Sequence, residues 1–163
     1  DRYPEGEGLR MFVASYATMG ANAPTMQITY TNSAGTAGKT TTAGIVSTAS
    51  ATSGILLNSG NSANKVGPFL TLAAGDTGVK DIQTLTWGGT AHASGSVFIG
   101  LCKPLCMPIP VPATGLYNMV DFVNTLPSLP RLRNGANVQF LIFATGATTS
   151  AATLYANFDY GWN

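Results

Sequence analysis

One imidazole, two thiols and seven carboxylates carry most of the acid–base, nucleophilic and metal-binding capacity of this 163-residue chain. A Ser-His-Asp or Cys-His relay has to use His92, the only histidine. It lies in Gly88-Gly89-Thr90-Ala91-His92-Ala93-Ser94-Gly95, which reads as a hairpin loop with no nucleophile elbow beside it. An exposed loop histidine is therefore expected, not a catalytic one. Glycoside hydrolysis needs two carboxylates roughly 5 or 6.5–9.5 Å apart across a cleft. The candidates are Asp76, Asp81, Asp121 and Asp159, and nothing in their spacing brings two together. Asp76 sits in a Gly-Asp-Thr-Gly turn, where a bond to local backbone is expected.

Cys102 and Cys106 flank Lys103-Pro104. On an extended chain they stand about 13 Å apart, beyond the ~7 Å reach of a bridge. Two reduced, largely buried thiols are expected, and the second ligand pair that a metal would require is missing. Gly6-Glu7-Gly8 lacks the third glycine of a dinucleotide loop, no phosphate-loop motif occurs, and no acid-rich dozen suits calcium. The sequence thus offers no catalytic, cofactor or metal residue, and the reading is of a protein that is not an enzyme.

The elements that would position any site have period two. Strands are expected at Leu9–Val13, Thr25–Thr31, Gly44–Ser47, Ile55–Asn58, Phe69–Leu72, Val79–Trp87, Ser96–Cys102, Val138–Ala144 and Thr153–Tyr160. Turns rich in Gly, Asn, Ser and Asp separate them, at Asn32–Gly35, Asn58–Asn61, Gly75–Gly78 and Arg133–Gly135. One short helix is expected over Asn118–Asn124, stopped by Leu126-Pro127. Residues 1–163 are therefore read as a single all-β domain, an antiparallel β-sandwich of jelly-roll type closed by that helix. The start at Asp1, with no initiator Met or secretory pattern, is expected of the mature or C-terminal part of a longer chain. The two ends also resemble each other: Arg2, Gly6, Leu9 and Tyr30 align with Arg131, Gly135, Val138 and Tyr160.

Charge is scarce. Only 9% of residues are Asp, Glu, Lys or Arg, against about 25% in ordinary domains. With a net charge of +1 and scattered cations, nothing marks a nucleic-acid surface. The longest apolar stretch, Val97 to Tyr117, is broken by Lys103 and four prolines, so it cannot be a membrane helix. A neutral surface suits a subunit covered by neighbours. Thr31–Gly54 and Ala144–Ala152 read as small-residue loops. The proline-punctuated run Lys103–Pro112 reads as an extended arm with Leu105, Met107, Ile109 and Val111 available to a neighbouring subunit. Aromatics such as Tyr16, Trp87, Tyr155, Tyr160 and Trp162 are expected in core or sheet-face packing.

Several phrases resemble tailed-bacteriophage virion proteins: Gly8–Val13, Ile28–Gly38 (ITYTNSAGTAG), Gly67–Leu72 (GPFLTL), Ala74–Val79 (AGDTGV) and Asn124–Arg131 (NTLPSLPR). They span most of the chain in the same order. The resemblance implies a structural component of the virion, generally longer at its N-terminus, and brings no catalytic residues. Among virion roles, it implies a head decoration or cement protein bound to the major capsid protein on the head surface, often as a homotrimer, and made in the host cytoplasm. The alternatives are a fibre, tail-tip or baseplate domain binding host glycans near Trp87–His92 and Thr145–Ser150, and a virion-associated hydrolase.

Overall fold

The computed structural model describes residues 3–42, 45–46, 56–57, 68–105, 135–139 and 141. Six strands form two antiparallel sheets: β1 (Arg10–Ala17), β2 (Thr25–Asn32), β3 (Lys39–Thr40), β4 (Ile45–Val46), β5 (Val79–Gly88) and β6 (Ser96–Cys102). β1 pairs with β6 in one sheet. In the other, β2 is central, with β5 along one edge and β3 and β4 along the opposite edge. The all-β antiparallel expectation holds. Among the described residues the pairing is nested, β2·β5 lying between the two members of β1·β6 in chain order.

One apolar cluster joins the two sheets. β1 contributes Met11 and Val13, and β2 contributes Met26, Ile28 and Tyr30, with Leu57, Leu70, Leu72 and Val79 around them. Ile82, Leu85 and Trp87 from β5 and Val97 and Ile99 from β6 close its margin. The alternation in β2 is strict, Met26, Ile28 and Tyr30 being buried while the intervening residues are partly exposed. β1 differs because it is covered on both faces, so Met11 to Ser15 are all buried. Its second face packs Phe12 and Ala14 against Leu56, with Phe69, Cys102 and Leu141 alongside. Phe12 also meets Phe98 edge to face, at 5.9 Å between centroids.

β5 shows how an irregular sequence reaches a regular face. Its inward apolar residues Val79, Ile82, Leu85 and Trp87 are spaced three, three and two apart, a pattern that would put Ile82 and Leu85 on opposite faces of a flat strand. Two bulges restore the phase. Thr84 pairs with Thr29 but Ile82 with Tyr30, and Asp81 pairs with Thr31 but Val79 with Asn32, leaving Gln83 and Lys80 as the extra residues. Deleting Gln83 should therefore keep every inward residue in place and shift Tm by only a few degrees. Deleting Thr86 should turn Trp87 outward, costing roughly 3–5 kcal/mol and on the order of 10 °C in Tm. Thermal unfolding of the two deletions checks this, and equal losses would refute the bulge argument.

Several expected elements change. The stretch 31–54 is more than loop: beside β4, which falls within the strand expected at Gly44–Ser47, it contains the end of β2 and the unexpected β3. The reason is Thr41, which is buried and donates its N–H to the Ile28 carbonyl (2.9 Å) while its hydroxyl accepts the Ile28 N–H (3.0 Å). Gln27 Nε2 also donates to the Thr41 carbonyl at 3.0 Å. Phe69–Leu72 is not a strand. Its backbone is divided between two partners, Leu70 N–H donating to Met11 and the Thr71 carbonyl accepting from Thr42, so no ladder propagates. Leu56 makes one isolated bridge to Ala14, and Val138, Gln139 and Leu141 lie outside any strand. The expected helix at 118–124, the strand at 153–160 and most of the C-terminal half of the internal resemblance lie outside the described residues.

Candidate functional site

Both ends of this fold are organised, in different ways. At the end where β1 begins and β2 finishes, the loop after residue 72 is fastened to β2 by side chains. Tyr30, whose side chain is buried at the end of the shared core, donates its hydroxyl to Asp76 Oδ2 at 2.6 Å and accepts the Ala73 N–H at 2.8 Å. Asn32 donates to Asp76 Oδ1 at 2.8 Å, and its own Oδ1 accepts the Thr36 N–H at 2.8 Å, fixing the β2–β3 turn. Lys39 approaches Asp76 Oδ1 at 3.9 Å. Asp76 thus bonds across the fold to β2, correcting the expectation of a purely local turn contact. Its burial is what makes these partners necessary, the side chain being only 6% exposed.

The electrostatics follow from this geometry. Hydrogen bonds from Tyr30 and then Asn32 hold the Asp76 carboxyl below its ordinary range. Burial, followed by the bond to Asp76, pushes the Tyr30 hydroxyl up to about 12. Near neutral pH the pair is one anion and one neutral phenol, with every oxygen engaged. A carboxylate so held is a poor general acid, because it is bonded to donors that favour its ionised form. An open groove runs past this point, lined by Arg10 and residues 69–76. Asp76 is the only carboxylate bordering it among the described residues.

The opposite end is built by two crossovers, residues 18–24 from β1 to β2 and residues 89–95 from β5 to β6. Gly88–Gly95 is therefore not a hairpin loop, since β5 and β6 belong to different sheets. The crossovers lie side by side. Gly20 N–H donates to the Ser94 carbonyl (3.0 Å) and Asn22 Nδ2 to the Ala91 carbonyl (2.8 Å). His92 Nδ1 lies 3.1 Å from the Gly20 carbonyl, which can only accept, so that nitrogen carries the proton. A Cβ on Gly20 would stand 3.0 Å from Ala93 N, so the approach is close because the side chain is absent. His92 is half-buried, contrary to expectation, because its ring also meets Trp87 edge to face at 5.6 Å. We expect His92→Ala to speed amide exchange at Gly20 by roughly five- to tenfold, with little change in Tm, since about 1 kcal/mol of local protection is lost. Exchange measured by NMR tests this, and an unchanged Gly20 rate would mean that the imidazole does not hold the crossovers.

Charge is divided between these ends. Every charged residue described (Glu5, Glu7, Arg10, Lys39, Asp76, Lys80, Asp81 and Lys103) belongs to the half where β1 begins and β2 finishes. Lys80 pairs with Glu5 at 2.9 Å, Thr77 donates to Glu7 at 3.0 Å, and Lys103 lies over the Tyr3 ring. Residues 11–38 and 82–102 contain no Asp, Glu, Lys or Arg. At the uncharged end β1 carries a bulge at Tyr16, because Ser15 pairs with Val97 and Ala17 with Ser96. Tyr16 is 75% exposed, which corrects the expectation that it packs in a core or on a sheet face.

Of the proposed contact arm, Leu105 is half-buried after β6, while Met107, Ile109 and Val111 lie outside the described residues, as does Cys106. Cys102 is a free thiol on β6, half-buried, with burial raising its pKa. Asp81 is exposed and paired in register with Thr31, whereas Asp121 and Asp159 lie outside the described residues. Among the described residues no group of three His, Cys, Asp or Glu could hold a metal ion. None of their helices is long and apolar enough to cross a membrane. Comparison with family models, curated proteins and solved structures gave no match for this chain.

Proposed function

We propose that this chain is a non-enzymatic structural subunit of a tailed-phage virion, a decoration or cement protein that lies against the major capsid protein on the head. One observation carries the reading: the described charges are confined to one end of the fold, and the described residues of the ordered opposite end carry none. Uncharged surface can be dehydrated against a neighbour without stranding ions, which suits a protein held by many modest contacts. The phrases resembling virion proteins add to it. So does the nested pairing of β1·β6 around β2·β5, which is the order a rolled double ribbon would have, and the chain is read as a jelly-roll-like sandwich on that basis. A homotrimer, produced in the host cytoplasm and seated on a repeating lattice, would multiply weak contacts into firm attachment.

The test is particle robustness. Heads assembled without this chain should form but lose their contents at a lower temperature or a milder osmotic shock, and adding the purified protein should restore the wild-type threshold. An unchanged threshold would overturn the cement reading. Against the glycan-binding alternative stands Trp87, whose ring is partly buried against the core cluster and meets His92 edge to face.

A further inference from the structure

We infer that the paired crossovers and Tyr16 form the face by which this chain binds the shell protein, an uncharged protein surface with a recess for the phenol ring. The inference rests on the decoration reading and names its contact face. Three observations converge on it. First, among the described residues no Asp, Glu, Lys or Arg lies at this end, so they offer a highly charged partner no ion pair, while a neutral one strips no ion of water against them. Second, the end is already ordered. Gly20–Ser94, Asn22–Ala91 and His92–Gly20 tie the two crossovers together, and buried Met19 anchors the first beneath them. Binding therefore orders little additional chain, which keeps the entropic cost of association low.

Third, the end presents an aromatic anchor. The bulge between Ser15 and Ala17 takes Tyr16 out of the ladder and leaves it more exposed than any other large apolar residue described. A phenol ring is a large contact with few rotatable bonds, and tyrosine is enriched at the energetic centres of interfaces. The exposed residues that follow it in β1 and in the two crossovers are small, among them Ala17, Thr18, Ala21, Ala91, Ala93 and Ser94. Side chains of this size let two backbones approach closely. The charged end has the opposite character, with Glu5, Lys80 and Lys103 in exposed pairs that a neighbour would have to strip of water.

The experiment measures binding of the purified full chain to heads lacking it, by co-sedimentation, at low and high salt. Tyr16→Ala and Ala91→Glu each place their change on exposed side chains, so both variants should keep the wild-type Tm. We expect each to lower occupancy at least tenfold, the Lys80→Ala control to bind like wild type, and wild-type binding to change less than twofold between roughly 50 and 500 mM salt, since few ions are released. Wild-type occupancy by both the Tyr16→Ala and Ala91→Glu variants, or wild-type binding that collapses with salt, would overturn this face while leaving the decoration reading in place. Failure of the wild-type chain to bind heads at all would overturn the decoration reading, and this face with it. Loss of head binding in the presence of free host glycan would show a sugar ligand and refute a protein contact.

Discussion

Replacing Gly78 by alanine is expected to be one of the two most damaging single-methyl changes among the described residues, Gly6 being the other. A Cβ on Gly78 would collide with the Gly6 carbonyl oxygen and stand 2.8 Å from Gly8 N. The clash is reciprocal, because a Cβ on Gly6 would collide with the Val79 carbonyl, and Gly6 also has φ +68°. These obstacles are backbone atoms, already tied by the Glu7–Gly78 bridge and by Gly8 N–H donating to Thr77 at 3.2 Å. They cannot step aside as a flexible side chain would. We expect each substitution to cost at least about 3 kcal/mol, the upper end for an overpacked site. Gly35→Ala and Gly75→Ala supply the control. Both residues have positive φ but would meet nothing within 4 Å, so only the conformational penalty of about 1 kcal/mol applies. Denaturant unfolding of the four variants separates collision from conformation, and a Gly78→Ala loss no larger than that of Gly35→Ala would refute the account.

The strands that are most regular in sequence are those most faithfully read. Thr25–Thr31 alternates without interruption, and its structural counterpart differs by one residue at the C-terminal end. Ser96–Cys102 has the same bounds in both. Errors arise where a backbone group is satisfied from outside the ladder. Thr41 supplies a hydroxyl in place of a backbone acceptor to Ile28, and β3 forms beside it in a segment whose Thr, Ala and Gly composition suggests loop, while β4 lies within the strand expected at Gly44–Ser47. Residues 69–72 are apolar and extended like a strand, yet their backbone bonds are shared between Met11 and Thr42. Local pattern cannot reveal either arrangement, because both depend on partners 13 to 59 positions away in sequence.

The site was legible only in part. The turn at Gly75–Gly78 is visible from residue types, but the partners of Asp76 are not, since Tyr30 and Asn32 are 46 and 44 residues distant. One signal was available: Tyr30 and Asn32 are two apart on a strand and so share a face, which places a hydroxyl and an amide together where a buried acid could use them. Similarly, the low charge content says that much of the surface is neutral, but only strand direction reveals where. β1 and β5 start at the charged end, while β2 and β6 finish there, and the crossovers between them collect the uncharged segments at the other. A compositional bias thereby acquires a direction among the described residues, and under the decoration proposal the end without described charge is the one to present to a neighbour.

Stability should fall in alkali across a window set by Tyr30. Its hydroxyl is raised from 10.0 to about 12 by burial and by the bond to Asp76. Because the folded state holds this proton more tightly than the unfolded chain, the contribution is fully present below pH ~10 and disappears as pH rises through about 12. A rise of that size corresponds to on the order of 2–3 kcal/mol. Asp76 acts in the opposite direction. Its carboxyl is lowered, so its contribution is present above the ordinary carboxylate range and is lost as pH falls through the depressed folded value. Tyr30→Phe tests both limbs together. It removes Tyr30's share of the alkaline dependence, leaving that of the half-buried Cys102, and, because Tyr30 is the largest cause of the Asp76 depression, it weakens the acid dependence as well. It also leaves the Ala73 N–H without its acceptor, for a loss of about 1–3 kcal/mol at neutral pH. Denaturation free energies of wild type and Tyr30→Phe should therefore differ most near neutral pH and converge towards pH 12. Parallel curves across that range would show that the phenol does not carry the linkage.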